Sequence, residues 1–432
     1  MRLGIIDRVP AIITSKYSRT NKLNTMGVQS GKSFLGLKGN ALVMSITETI
    51  GQGILSLTST FWSLYVLDLG ASIPILGLLG LVQGLFRVLI QVPAGYLTDK
   101  IGRKKLVVWG GFVSSFAPFT YFLATRWEHL IPGVILEAFT NIVLPARQAM
   151  FADAVDPKRR ATAFATIHTL MAVPSTLLPI IGGYLLERMG MLPGMRLAFL
   201  ITGVVMLLAG LGRALYLKES LTVEKRIEER FSFRGTLLDI FEPVIRLRVL
   251  KIAILGAFLY SLAAGVVMRY SVVYAVDIIG ISKPQWGLVH GAMGVVGILT
   301  RIPIGRTIDK LGRKLSILIS YSTRPIFIVA FVLSRNFQQV LLIEIGNHIF
   351  SYFQQPALEA LVIDVASTQR RGRAYGALNT IPGIASTIAQ ILGAFFWEAF
   401  GAAWAFYFSA LFTAAAAVML LAFLQEPKKR ED

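Results

Sequence analysis

The sequence predicts an all-α membrane protein of twelve transmembrane helices in two pseudo-symmetric six-helix bundles. Three observations carry that prediction. The 432-residue chain is 54% hydrophobic and only 16% charged, with a mean hydropathy of +0.63. Its apolar runs are long enough to cross a hydrocarbon core, which takes roughly 20 residues per helix. Two motifs recur in the second half of the chain at nearly constant offset. Gly95-Tyr-Leu-Thr-Asp99-Lys-Ile-Gly102-Arg103-Lys104 returns as Gly305-Arg-Thr-Ile-Asp309-Lys-Leu-Gly312-Arg313-Lys314. Pro145, Asp153 and Arg159-Arg160 return as Pro356, Asp364 and Arg370-Arg371. A repeat of that length means one membrane unit used twice.

Twelve runs fit the helix template in order: 40–68, 72–97, 106–125, 130–154, 161–186 and 197–217 in the first half, then 250–278, 285–308, 315–334, 338–364, 375–398 and 402–424 in the second. Only helices satisfy their own backbone within lipid without closing a barrel. The domain reading is therefore a tail 1–38, a bundle 39–217, a connector 218–249, a bundle 250–425 and a tail 426–432. The connector carries mixed charge in Glu224-Lys-Arg-Ile-Glu-Glu-Arg230 and reads as amphipathic.

Basic residues set the expected orientation. Residues 1–38 hold seven Lys and Arg, and every second loop after them is basic. The intervening loops offer only Arg126, Arg188, Arg196, Lys283 and Arg335. The positive-inside rule then puts both termini in the cytoplasm, as expected of a multi-pass protein of the cell membrane. The net charge of +19 is spread over loops beside anionic headgroups, so membrane lipids are the expected partners and nucleic acid is not. The apolar stretch Leu3 to Thr14 is broken by Asp7, Arg8 and Pro10 and does not read as a signal peptide. With no cysteine, disulfides, thiolate metal sites and cysteine nucleophiles are excluded.

The doubled loop motif resembles that of the major facilitator superfamily of secondary transporters. In that family Gly-x-x-x-Asp-x-x-Gly-Arg-Lys joins the second and third helices. Gly95, Asp99, Gly102, Arg103 and Lys104 fill those places, and Gly305, Asp309, Gly312, Arg313 and Lys314 fill them again. The resemblance covers residues 39–425. It implies two bundles around a central cavity, with helices one, four, seven and ten lining the pathway. It also implies that Asp99, Arg103 and Asp153, with Asp309, Arg313 and Asp364, latch the cytoplasmic side shut when the cavity faces out. The structural alternative is that they anchor the topology. Pro179-Ile-Ile-Gly182-Gly183 is similar to the end of a signature of proton-coupled exporters, although Leu178 replaces its leading Gly and the earlier glycines are absent; a generic packing face is the stronger explanation.

Polar stripes at helical spacing mark the faces expected to line the cavity. Helix one carries Ser45, Glu48, Gln52, Ser56, Ser59 and Ser63. Helix two offers Gln83, Arg87 and Gln91, and helix four Glu137, Asn141 and Gln148. Helix ten offers Glu344, Asn347, His348, Ser351, Gln355 and Glu359, and helix eleven Asn379, Ser386 and Gln390. Many of the serines are explained by helix packing, but the charges are not. A charge at mid-membrane costs about 2.5–3.5 kcal/mol on insertion scales, so Glu48, Arg87, Glu137, Arg269, Arg324 and Glu344, with Arg301 at the margin of the set, are expected to pair or face water. Depth pairs Glu48 with Arg87, and Arg269 with Glu137 or Glu344. Arg324, central in helix nine, has no evident partner.

The substrate-binding candidates are Glu48, Gln52, Arg87, Glu137, Asn141, Arg269, Glu344, His348, Gln355 and Gln390. Glu48 and Glu137 are the candidates for proton coupling, since alternating exposure of a carboxylate can load and release a proton. His348 is weighed equally as a relay and as a neutral hydrogen-bonding group. No enzyme motif is complete: Gly27-Val-Gln-Ser-Gly31-Lys32-Ser33 is one residue short of a phosphate loop. No cofactor, metal site or nucleotide is expected, so the reading is a non-enzymatic secondary transporter driven by an ion gradient. Proton-coupled export of an amphipathic or weakly ionic compound leads. Uptake of a small organic anion, with Arg87 or Arg269 as counter-ion, is the alternative, and so is a lipid-handling or sensing protein.

Overall fold

The computed structural model describes residues 37–156, 159–221, 235, 247–367 and 371–426. Most of the expected tails and connector, the Gly27–Ser33 segment, Arg370 and the Gly95 and Asp99 side-chain positions lie outside the described residues. Twelve spans follow in order. The first six are α1 (Gly39–Ser59, continued by Trp62–Asp68), α2 (Ile73–Ile101), α3 (Arg103–Ser115 and Ala117–Leu123), α4 (Ile131–Ala138 and Thr140–Asp153), α5 (Arg160–Met189) and α6 (Met191–Tyr216). The second six are α7 (Arg248–Val273, running on through a π turn, Tyr274–Ile278), α8 (Lys283–Leu311), α9 (Arg313–Val332), α10 (Phe337–Ser351 and Gln354–Val365), α11 (Arg371–Phe400) and α12 (Ala402–Phe423).

Among the described residues, ten spans are long and apolar enough to cross a membrane. The other two are α1, whose 21-residue first segment carries a full polar stripe, and α10, which is split into segments of 15 and 12 residues. Their breaks have identifiable causes. In α10, Pro356 has no N–H to give the carbonyl of Tyr352, and the helix interrupts there; Pro118 acts likewise below Ser114 in α3. In α1, Ser56, Thr58 and Thr60 turn their hydroxyls back onto the carbonyls of Gly53, Leu55 and Ser56 (2.6, 3.2 and 3.2 Å), which bends a helix. Entry into α8 is fixed by a capping box between Ser282 and Gln285.

Two glycines explain the repeated loop. Gly102 (φ 104°) and Gly312 (φ 87°) adopt the left-handed backbone that turns α2 into α3 and α8 into α9. These turns mark what we call the basic end of the molecule; the loops around 69–72 and 279–282 mark the far end.

The buried core reveals the shape of the space between the halves. At the far end one continuous cluster contains Phe61, Tyr65 and Tyr121 from the first half and Val266, Tyr270 and Trp286 from the second. Towards the basic end each half has its own: Met44, Leu106 and Met150 in one, Ile254, Tyr321 and Leu361 in the other. Glycines allow the far-end closure. A Cβ on Gly183 of α5 would stand 2.6 Å from the Lys283 carbonyl oxygen and 2.8 Å from Pro284 Cα, and one on Gly77 of α2 2.8 Å from the Gln390 carbonyl. The halves are thus joined backbone to backbone at the far end and have separate cores at the basic end.

Candidate functional site

Between the halves lies a cavity of about 420 Å³, in the size range of small-molecule pockets. Gln52, Arg87, Glu137, Asn141, Arg269 and Gln390 line it. The polar network starts on α7, where the buried Arg269 reaches across the interface. Its Nε donates to Gln390 Oε1 on α11 (2.8 Å) and its Nη2 to Gln83 Oε1 on α2 (2.9 Å). Gln83 Nε2 in turn donates to Glu137 Oε2 (3.4 Å), and Tyr121 Oη donates to the same oxygen (2.9 Å). Gly80 makes the crossing possible, because a Cβ there would overlap Gln390 Oε1 and lie 3.0 Å from Arg269 Nη2.

Arg269 therefore points inward, but it meets Glu137 through Gln83 rather than directly. Arg87 lines the same cavity and forms no hydrogen bond or ion pair among the described residues. One wall is aromatic: Trp62 and Tyr121 lie 4.6 Å apart between centroids, and Tyr121 and Phe199 5.1 Å apart. The charged groups lining the cavity are two guanidiniums and one carboxylate, beside an apolar surface. That combination is an amphipathic space with one carboxylate among its charged groups.

Other candidates lie elsewhere. Glu48 does not pair with Arg87. It sits one turn towards the basic end from Gln52, where Arg147 Nη1 of α4 and Arg213 Nη2 of α6 (2.9 Å) both donate to its carboxylate. Depth along a helix fixes height and leaves the facing direction open, and α1 turns Glu48 away from α2. Neither Arg147 nor Arg213 was among the sequence candidates; Gln148, expected to face inward on α4, is exposed.

Glu344 is buried on α10 away from the cavity lining, accepting from Asn347 Nδ2 (3.2 Å). His348 packs its ring on Tyr352 (4.7 Å), and the exposed Gln355 donates to Glu359 (2.8 Å). None of the three borders the cavity, and the first segment of α10 packs against α8 and α9. Arg324 acquires a partner: Nη1 donates to Tyr260 Oη (2.7 Å) and the guanidinium lies 4.6 Å over the same ring.

At the basic end, Arg103 pairs with Asp153, tying the start of α3 to the end of α4. Arg313 pairs with Asp309 and Asp364 (3.1 Å each) in the second half. Each cluster lies within its own half, and both are formed while the far end is shut. Each is completed by an acid that the sequence reading overlooked. Glu219, just after α6, accepts from the backbone N–H groups of Arg103 and Lys104 (3.1 Å each). Glu426, just after α12, accepts from those of Arg313 and Lys314 (2.6 and 2.7 Å). Each carboxylate thus satisfies the orphan donors at a helix N-terminus. A signal existed in the sequence: Leu217-Lys-Glu219 and Leu424-Gln-Glu426 end the sixth and twelfth runs alike.

Comparison with known proteins matches this architecture. The profile of the Major Facilitator Superfamily matches residues 42–322 and 253–432. An uncharacterized MFS-type transporter of Methanocaldococcus jannaschii, MJ1560, is 26% identical over 390 residues, 86% of this chain and 94% of that protein. Multidrug resistance protein MdtG of Dickeya zeae is 25% identical, over 85% and 88% of the two chains. Among solved structures, nucleoside transporter NupG superposes with a TM-score of 0.71 at 13% identity, covering 90% of this chain and 98% of that one. That likeness concerns the fold.

Proposed function

The chain belongs to the Major Facilitator Superfamily, and on that premise we propose that it is a secondary transporter exporting an amphipathic or weakly ionic small molecule in exchange for protons. The two bundles, 39–217 and 250–425, rock about the cavity, with both termini on the cytoplasmic side of the cell membrane. The observation that carries this reading is the cavity itself: shut at the far end by backbone contacts, lined by one carboxylate and backed by an aromatic wall. Glu137 is the coupling group. Its partners in this state are a phenol and an amide, with Arg269 one side chain away. A change of water access at that point alters its hold on a proton. Glu48, committed to two guanidiniums, is the poorer carrier. The names of several relatives, which include multidrug resistance proteins, support the direction.

One observation favours a second reading, uptake of a small organic anion: the cavity holds two guanidiniums to one carboxylate, and Arg87 is unpaired among the described residues. The two readings differ in the sign of linkage between proton and substrate. An exporter needs proton and substrate to compete, so substrate affinity falls as pH is lowered. An anion taken up with a proton binds more tightly as pH is lowered. Titration of a ligand found by thermal-stabilisation screening, repeated across pH, separates them. In proteoliposomes Glu137→Gln is expected to abolish gradient-driven accumulation while leaving counterflow exchange. Accumulation at the wild-type level in that variant would remove Glu137 from the coupling step.

A further inference from the structure

Below the main cavity, towards the basic end, lies a second, smaller space of about 40 Å³ beside Glu48, Arg147 and Arg213. We propose that it binds a small monovalent inorganic anion of the chloride kind. The argument begins with charge. Two guanidiniums meet a single carboxylate here, so the cluster carries an excess positive charge within the membrane span. An uncompensated buried charge is costly, and the groups that accept from the guanidiniums leave the excess in place. Apart from Glu48, Arg213 uses only Thr47 among the described residues, donating from Nε to its hydroxyl (3.0 Å) and from Nη2 to its carbonyl (3.4 Å).

Geometry then identifies where the compensating charge sits. Nη1 of Arg213 has no hydrogen-bond partner among the described residues and faces Gly111 of α3. Gly51 of α1 flanks the same guanidinium. Both glycines line the pocket, which is open because neither position carries a side chain. A single water needs roughly 10–15 Å³ of such space, so the pocket takes a monatomic or similarly compact anion with a water and excludes an organic acid. Access is provided by Gln52, Ser114 and Thr140, which border both this space and the main cavity. The anion site is thus separate from the substrate cavity and bound to α1, α3, α4 and α6 of one half.

The test uses the purified full chain in detergent, with thermal unfolding followed as sodium chloride or bromide replaces sodium gluconate at constant ionic strength. The wild type should show a saturable rise in Tm with chloride and with bromide. Gly111→Ala places a Cβ 3.5 Å from Arg213 Nη1, an ordinary contact, and should fold normally yet lose the response. Arg147→Gln, which removes the excess charge, should weaken the response at least tenfold in half-saturating chloride. Glu48→Gln should tighten it several-fold, because a competing carboxylate is gone. A Tm independent of the anion in the wild type would mean that the pocket holds water only. A full response in Gly111→Ala would place the ion elsewhere. Either result overturns the site.

Discussion

If the halves separate at the far end during transport, one methyl group in the right place should hold them apart. Gly183→Ala is that perturbation. Its Cβ would lie 2.6 Å from Lys283 O, 2.8 Å from Pro284 Cα and 2.9 Å from the Lys283 carbonyl carbon. All three are backbone atoms at the start of α8, so no rotamer change relieves the contact. Overpacking of this kind typically costs about 1–3 kcal/mol. Because the cost falls only on the state with the far end shut, the population moves about 5- to 150-fold towards the open one. The chain contains no cysteine, so a single Ser59→Cys in the cavity gives a sole thiol to read. Its rate of labelling by a membrane-impermeant maleimide added from the far side should rise by that factor in Gly183→Ala. Gly383→Ala, whose Cβ meets nothing within 4 Å, is the control and should label at the parent rate. Equal rates for Gly183→Ala and its parent would refute the claim that this contact closes the far end.

The ion cluster and the helix caps yield two further expectations. Glu48→Gln leaves Arg147 and Arg213 facing each other without their shared carboxylate, and should lower stability by about 3 kcal/mol in gluconate, measured by thermal unfolding. Glu219→Ala and Glu426→Ala each remove a carboxylate from a helix N-terminus, at about 1 kcal/mol apiece; the two sites share no hydrogen-bond partner, so the double variant should lose the sum.

The features legible in the sequence were those fixed by local chemistry. The doubled Gly-Arg-Lys turn was readable because a left-handed backbone at Gly102 and Gly312 demands glycine wherever the unit is used. The stripes of α1 and α4 were readable at Gln52, Glu137 and Asn141, since helical spacing alone puts them on one face. Facing direction was not legible. Glu48 and Glu344 had suitable depths, yet each turns to neighbours within its own half, a direction that no residue count along one helix reports. Arg213 was missed because it lies in a run with no polar stripe, where a lone cation near a helix end reads as an interface anchor. Its partner is 165 residues away in sequence. The aromatic wall of Trp62, Tyr121 and Phe199 was hidden for a similar reason: in an apolar chain, a ring that faces a cavity looks like one that faces lipid.

The central claim, that solute crosses through this cavity in exchange with a proton bound at Glu137, is tested most directly by ligand-evoked proton movement in proteoliposomes carrying a pH-sensitive dye in the lumen. With a ligand that stabilises the purified protein, the account predicts proton flux opposite in direction to the solute. That flux should depend on the ligand gradient and be absent in Glu137→Gln. Ligand flux without proton movement, or lipid flipping that proceeds without any gradient, would contradict it.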